Sequence, residues 1–313
     1  MAPPFMVVGC YGAQGMNILD VSNLSKSFGE AKVINDISFS VKRGEIVGFV
    51  GPNGAGKTTT LRLITDLIRP DKGAIVIDGY PLKTQREMAL KSLSGIIENP
   101  GLYLNLSGLD NMLFIAELRG IPKSRLDRAI ELTGLGDSIH RQVRKYSLGM
   151  KQRLAIGMCL ITDPKLLILD EPTNGLDPTG TMELRELMLK MAHEEGVSIL
   201  FSSHMLGEVE RIADRVIYIK DGVLLNHLTP EFEAIFELRV SDPQIVEGYV
   251  KGIDGVLSTK VEGRNKLIIH LREGVISEVL TTVVGKGVNI FDITKKQDDL
   301  ELVYSRIFRG DGA

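Results

Sequence analysis

IVGFVGPNGAGKTT, Ile46 to Thr59, decides how the rest of the chain is read. Its Gly51 to Thr58 portion fits G-x-x-x-x-G-K-[ST] at every fixed position. An apolar, β-branched run precedes it, and TTLRLITDLI, which reads as a helix to Ile68, follows. Strand, glycine-rich turn and helix start are the context this pattern requires. Glycines let the backbone wrap closely, so that successive N–H groups and the helix N-terminus aim at an anion. Gly51, Pro52, Asn53, Gly54, Ala55, Gly56, Lys57, Thr58 and Thr59 are therefore expected to hold a nucleoside triphosphate. Lys57 would reach the β- and γ-phosphates, and the Thr58 hydroxyl would bind Mg2+.

Composition bounds what surrounds that loop. With 313 residues, 43% hydrophobic and 25% charged, the chain has room for a principal domain and a smaller one. A net charge of -3 gives no footprint for nucleic acid. Cys10 and Cys159 are far apart and belong to no metal-ligand spacing, which points to a reducing compartment. Cys159 reads as a buried thiol. Residues 1–16 carry no charge and no period, and are expected to be a disordered leader. No stretch reaches the roughly 18 apolar residues needed to cross a bilayer, so any membrane role is expected to run through a partner.

From Asn17 to Glu45, short alternating apolar runs predict antiparallel strands, with Phe28 as an aromatic platform for a base. Residues from about 85 to 161 read as mainly helical, like a subdomain inserted into an α/β pattern. Alternation resumes with KLLILDE, Lys165 to Glu171, and SILFSSH, Ser198 to His204. Buried strands separated by helices predict a parallel sheet, whose ligands gather at the carboxyl ends of the strands. Asp170, Glu171 and His204 fall at such ends. Asp170 suits Mg2+, Glu171 can deprotonate a water, and His204 can donate to a γ-phosphate. In YSLGMKQRL, Tyr146 to Leu154, Ser147 and Gly149 open a helix suited to a second anion.

Taken together, these motifs resemble the ATP-binding-cassette ATPases, over about Ile18 to Leu228. GPNGAGKT resembles the family's Walker A motif, LLILDE its Walker B with the catalytic Glu171, and SLGMKQ, Ser147 to Gln152, its signature. NGLDP, Asn174 to Pro178, is similar to the D-loop with Asp177, and His204 matches the switch histidine. The resemblance implies a P-loop NTPase fold with a RecA-like core, an antiparallel β subdomain and the inserted helices, over residues 17–230. It also implies a head-to-tail dimer, of two copies or of this chain with a relative. ATP would then lie between Lys57 of one cassette and Ser147, Gly149 and Gln152 of the other. A separate membrane permease would be the partner, met through Glu98 to about Gly120 on the cytoplasmic side of the plasma membrane.

Two departures stand out. Leu148 and Met150 replace residues usual in the signature, while the serine and second glycine remain. In GIIENP, Gly95 to Pro100, Glu98 stands where the family usually has a glutamine that touches Mg2+ and the attacking water. With ENPGLY and SLGMKQRL, this looks like the branch that exports bacitracin and lantibiotic peptides. Glu98 is accordingly read as a metal ligand and coupling residue.

Residues 231–313 change character and follow the order strand, helix, hairpin, helix, strand and helix, predicting a ferredoxin-like α+β accessory domain. The competing class is a non-transport cassette ATPase acting on ribosomes or DNA. Such relatives carry long coiled-coil insertions, or paired cassettes with basic linkers, and this sequence has neither.

Overall fold

The computed structural model describes residues 17–225, 233–272 and 274–296. Expectations for the leader, for Cys10 and for a last helix in DLELVYSRIF lie outside the described residues. Two compact units divide the chain, Met1–Leu224 and Leu225–Ala313.

In the first unit, β1 (Asn17–Phe28) and β2 (Ala31–Lys42) precede β3 (Ile46–Val50), the phosphate-type loop and α1 (Lys57–Ile64). Next come β4 (Lys72–Ile77), β5 (Tyr80–Pro81), α2 (Arg86–Lys91) and β6 (Leu93–Ile96). Three helices follow, α3 (Gly108–Arg119), α4 (Lys123–Thr133) and α5 (Leu148–Leu160). The unit closes with β7 (Leu166–Leu169), α6 (Pro178–His193), β8 (Ser198–Ser203), α7 (Leu206–Val209), β9 (Arg215–Lys220) and β10 (Val223–Leu224).

Two sheets result. One is antiparallel, in the order β2-β1-β4-β5. The other runs β10-β9-β3-β8-β7-β6 and is parallel except at β10. Every residue of β3, β7 and β8 is buried, which is why β3, β7 and the Ile199–Phe201 centre of β8 read as continuous apolar runs rather than alternating ones. Within 85–161, β6 belongs to the parallel sheet, so the helices that pack on one another are α3, α4 and α5. α1 stops at Ile64, short of Ile68, because Asp66 takes a left-handed φ of 55°, which aspartate tolerates better than most residues.

Asp78, in the β4–β5 turn, ties the two sheets together at the end away from the loop. Its carboxylate accepts hydrogen bonds from Lys165 Nζ and Ser92 Oγ, each at 2.7 Å, and from Arg43. Burial raises its pKa, but the bonds from Lys165, Arg43 and Ser92 outweigh this and bring it down to about 2. A carboxyl lowered from its ordinary value of 3.8 stabilises the fold fully above that value, and the contribution fades as pH falls through about 2. Allowing for solvent screening of the exposed Lys165, Asp78→Asn is expected to cost about 1–2 kcal/mol at pH 7, a cost that shrinks towards pH 2. Urea melts of both forms across that range check this.

The second unit contains β11 (Glu233–Val240), α8 (Pro243–Val250), β12 (Val256–Glu262), β13 (Lys266–Arg272), α9 (Ile276–Gly285) and β14 (Ile290–Lys296). Its antiparallel order, β12-β13-β11-β14, is that of a ferredoxin-like unit. Leu267, Ile269 and Leu271 alternate inward from β13 onto Val246 and Val250 of α8 and Val279 and Val283 of α9, all of them fully buried. Asp242 caps α8 through the N–H groups of Gln244 and Ile245, with Pro243 at the first helical position.

Candidate nucleotide site

β3 lies between β8 and β9, so the loop that leaves its carboxyl end emerges beside the end of β8, with β7 one strand further. Gly56 takes a φ of 104°, and a Cβ there would meet Ile34 Cδ1 at 2.6 Å, so the turn into α1 accepts only glycine. Lys57 is 6% exposed, and its Nζ donates to the Gly51 and Pro52 carbonyls at 2.7 and 3.2 Å. The same ammonium lies 3.2 Å from Glu171 Oε1.

The metal-type cluster sits beside it. Thr58 Oγ1 donates to Asp170 at 2.9 Å, and Asp170 is 7% exposed. Glu171 adopts a left-handed φ of 48°, and its Oε2 meets His204 Nδ1 at 2.7 Å. Ser202, fully buried, joins the two carboxylate residues: its Oγ donates to Asp170 Oδ1 at 2.6 Å and accepts the Glu171 N–H at 2.9 Å. The sequence reading missed Ser202. Its only signal was a hydroxyl near the end of a strand otherwise apolar enough for a core.

Asn53, Gly54, Gly56, Lys57, Thr58, Thr59, Glu171 and His204 line one cleft of about 360 Å³, within the usual range for small-molecule sites. Phe28 ends β1, half exposed, with Lys26 Nζ 5.5 Å from its ring centroid; it does not line the cleft. Glu98, two residues past β6, has a φ of 65°, and its carboxylate pairs with Arg62 of α1 rather than lining the cleft.

Ser147 and Asp177 each cap a helix, accepting from the N–H groups of Met150 and Gly180 at 3.2 and 3.0 Å. The two helices, α5 and α6, start side by side: a Cβ on Gly149 would come within 3.3 Å of Gly180 Cα. Their N-termini thus form a second region suited to an anion, on residues that do not line the cleft. Gln152, further along α5, donates to the Pro172 carbonyl at 3.1 Å and braces the backbone just past Glu171. Leu148 stays 48% exposed at the first turn of α5.

A larger groove of about 730 Å³ runs between α2, β6 and α5, with Ile97, Asn99, Pro100 and Gly101 forming part of its wall. Cys159, on α5, borders it, and desolvation pushes its thiol up to about 12. Nearby in sequence, Tyr103 and Phe114 stack edge to face with centroids 5.3 Å apart, and both are largely exposed, as is Leu118. Among the described residues, no helix is long and apolar enough to cross a membrane.

A parallel sheet with a phosphate-type loop on its central strand, and an acidic pair and a histidine on the neighbouring strand ends, defines a P-loop nucleotide hydrolase. The chain belongs to the ATP-binding proteins of ABC transporters and is an ATPase: the ABC transporter family profile matches residues 34–174, and long relatives agree. It is 36% identical over 299 residues to the bacitracin transport ATP-binding protein BcrA of Bacillus licheniformis, covering 94% of this chain and 98% of that one. It is 41% identical over 208 residues to the lantibiotic transport ATP-binding protein SrtF of Streptococcus pyogenes, covering 66% of this chain and 89% of that one. Among solved structures, it is similar to cbiO1 of Clostridium perfringens, part of the ABC transporter complex cbiONQ. The TM-score is 0.63 at 30% identity, over 67% of this chain and 88% of that one.

Proposed function

We propose that this chain supplies ATP-driven closure to a separate membrane permease that exports peptide antibiotics of the bacitracin and lantibiotic kind. The observation that carries the chemistry is the set Lys57, Thr58, Glu171 and His204 lining one cleft, with Asp170 bonded to Thr58 behind them. The naming of BcrA, a relative matched along 98% of its length and through the second unit of this chain, supports the substrate class.

In this reading Lys57 gives up its bonds to the loop carbonyls and holds the β- and γ-phosphates. Glu171 accepts a proton from the attacking water, with its other oxygen oriented by His204 Nδ1. His204 Nε2 is then the ring nitrogen that faces a phosphoryl oxygen. Thr58 and Asp170 fit Mg2+, being hard oxygen donors already in contact. Among the described residues no three His, Cys, Asp or Glu side chains are arranged to hold a metal ion by themselves, so the ion would also draw ligands from phosphate and water. When bound, Mg2+ draws charge off the phosphates. Glu98 serves as a further ligand and as the coupling residue. Phe28 stacks on the base, and Ser147 and Gly149 meet a phosphate held by the partner cassette, beside its Asp177.

The permease docks in the groove lined by Ile97, Asn99, Pro100, Gly101, Leu102 and Ile115, on the cytoplasmic side of the plasma membrane. Residues 17–230 act as the motor and 231–313 as an accessory domain. Co-expression with a cognate permease is expected to raise the bacitracin or lanthionine-peptide concentration a host survives. Glu98→Ala is expected to abolish that gain while the subunits still co-purify. Unchanged resistance would remove the coupling role. Sedimentation with ribosomes and no membrane partner would return the protein to the non-transport class.

A further inference from the structure

Glu98 stands close to the acidic cluster yet holds its carboxylate elsewhere. Ile96 pairs with Leu169, and the Ile96 carbonyl accepts the Asp170 N–H at 2.9 Å. Adjacent strands lie about 4.8 Å apart, so the chain carrying Glu98 leaves the sheet alongside Asp170. Its left-handed φ of 65° is strained for a residue with a side chain. In that conformation the carboxylate is bound by Arg62.

Arg62 is four residues beyond Thr58 on α1, so the two lie on one face of the helix, one turn apart. Thr58 is the residue that donates to Asp170. One helix therefore presents Glu98 with two partners whose backbone positions lie about 6 Å apart along its axis: the guanidinium of Arg62, and the Thr58–Asp170 pair. A third carboxylate beside Asp170 and Glu171 is repelled there unless a cation compensates, whereas Arg62 supplies its own charge. Ile97 and Asn99, on either side of Glu98, line the large groove. Whatever presses on that groove also moves the backbone that carries Glu98.

We propose that Arg62 is a positioning residue: it parks Glu98 away from the Thr58–Asp170 pair, and the carboxylate reaches that pair when its bond to Arg62 is broken, as displacement of the segment 97–101 would do. This rests on the reading of Glu98 as a metal ligand and coupling residue. It adds a hold built into the nucleotide-binding helix itself, so that the groove and the cleft compete for one side chain.

The test uses the full-length chain and a fluorescent ATP analogue, with binding followed by anisotropy as Mg2+ is titrated. Thermal unfolding of each variant checks the fold. Arg62→Leu is expected to lower the Mg2+ concentration for half-maximal binding by about two- to fivefold, the size of an exposed ion pair. Arg62→Lys is expected to restore the original value. In a Glu98→Gln background, Arg62→Leu should have no further effect. An equal shift in that background would make Arg62 a general charge on the phosphates and sink the proposal, as would no shift in a folded Arg62→Leu protein. If Glu98→Gln leaves the Mg2+ dependence of the Arg62→Leu protein unchanged, where the carboxylate is released, the metal-ligand reading fails and the hold falls with it. A shift in Glu98→Gln with none in Arg62→Leu defeats the hold alone. Should Arg62→Leu unfold, Arg62→Gln carries the same expectations.

Discussion

Glu171→Gln is expected to lower ATP turnover by about 10²- to 10⁴-fold, the range for loss of a positioned general base, while ATP binding survives. The amide keeps the shape of the carboxylate and an oxygen for His204 Nδ1, now 2.7 Å from Oε2, but it takes no proton from water. Ser202 continues to accept the backbone N–H of residue 171, so the strained φ of 48° is held by the same bond. Filter retention of labelled ATP beside phosphate release separates the two quantities. Turnover within tenfold of the unsubstituted protein would assign the base elsewhere.

Lys57→Ala is expected to produce the opposite pattern, with binding and turnover falling together. The ammonium is nearly buried and satisfies two loop carbonyls and one carboxylate oxygen. A hydrogen bond to a charged group contributes about 1.5–3 kcal/mol, so nucleotide affinity should weaken by about 10- to 100-fold. Loss of the ammonium also leaves Glu171, only 20% exposed, beside Asp170 without its counter-charge, and the empty protein should melt earlier. Calorimetric titration and a melting curve on the same sample check both effects. A variant that binds normally would break the assignment of Lys57 to the phosphates, even with turnover lost.

What the sequence disclosed follows the reach of its signals. The phosphate-type loop was legible because strand, turn and helix start are contiguous. β3, β7 and β8 were legible because burial on both faces leaves continuous apolar stretches, in β8 the three residues Ile199 to Phe201, and their common direction places Asp170, Glu171 and His204 together. β13 was legible for the complementary reason, since Leu267, Ile269 and Leu271 alternate against one covered face. Contacts between distant segments carried no local trace. Ser202 reaches back 32 residues to Asp170, and Arg62 reaches forward 36 to Glu98. Nothing in the composition of either segment marks the other. Likewise the end of α1 depends on the conformation of Asp66, which the apolar residues Leu67 and Ile68 conceal.

A practical opening comes from Cys159. Burial pushes its thiol up to about 12, which leaves little of the thiolate that alkylating dyes attack near neutral pH. Of the two cysteines in the chain, only Cys10 then needs replacing before a reporter is attached by maleimide chemistry. A probe at Asn99 would follow the wall of the neighbouring groove by fluorescence, with the native residue on α5 left in place as a silent bystander.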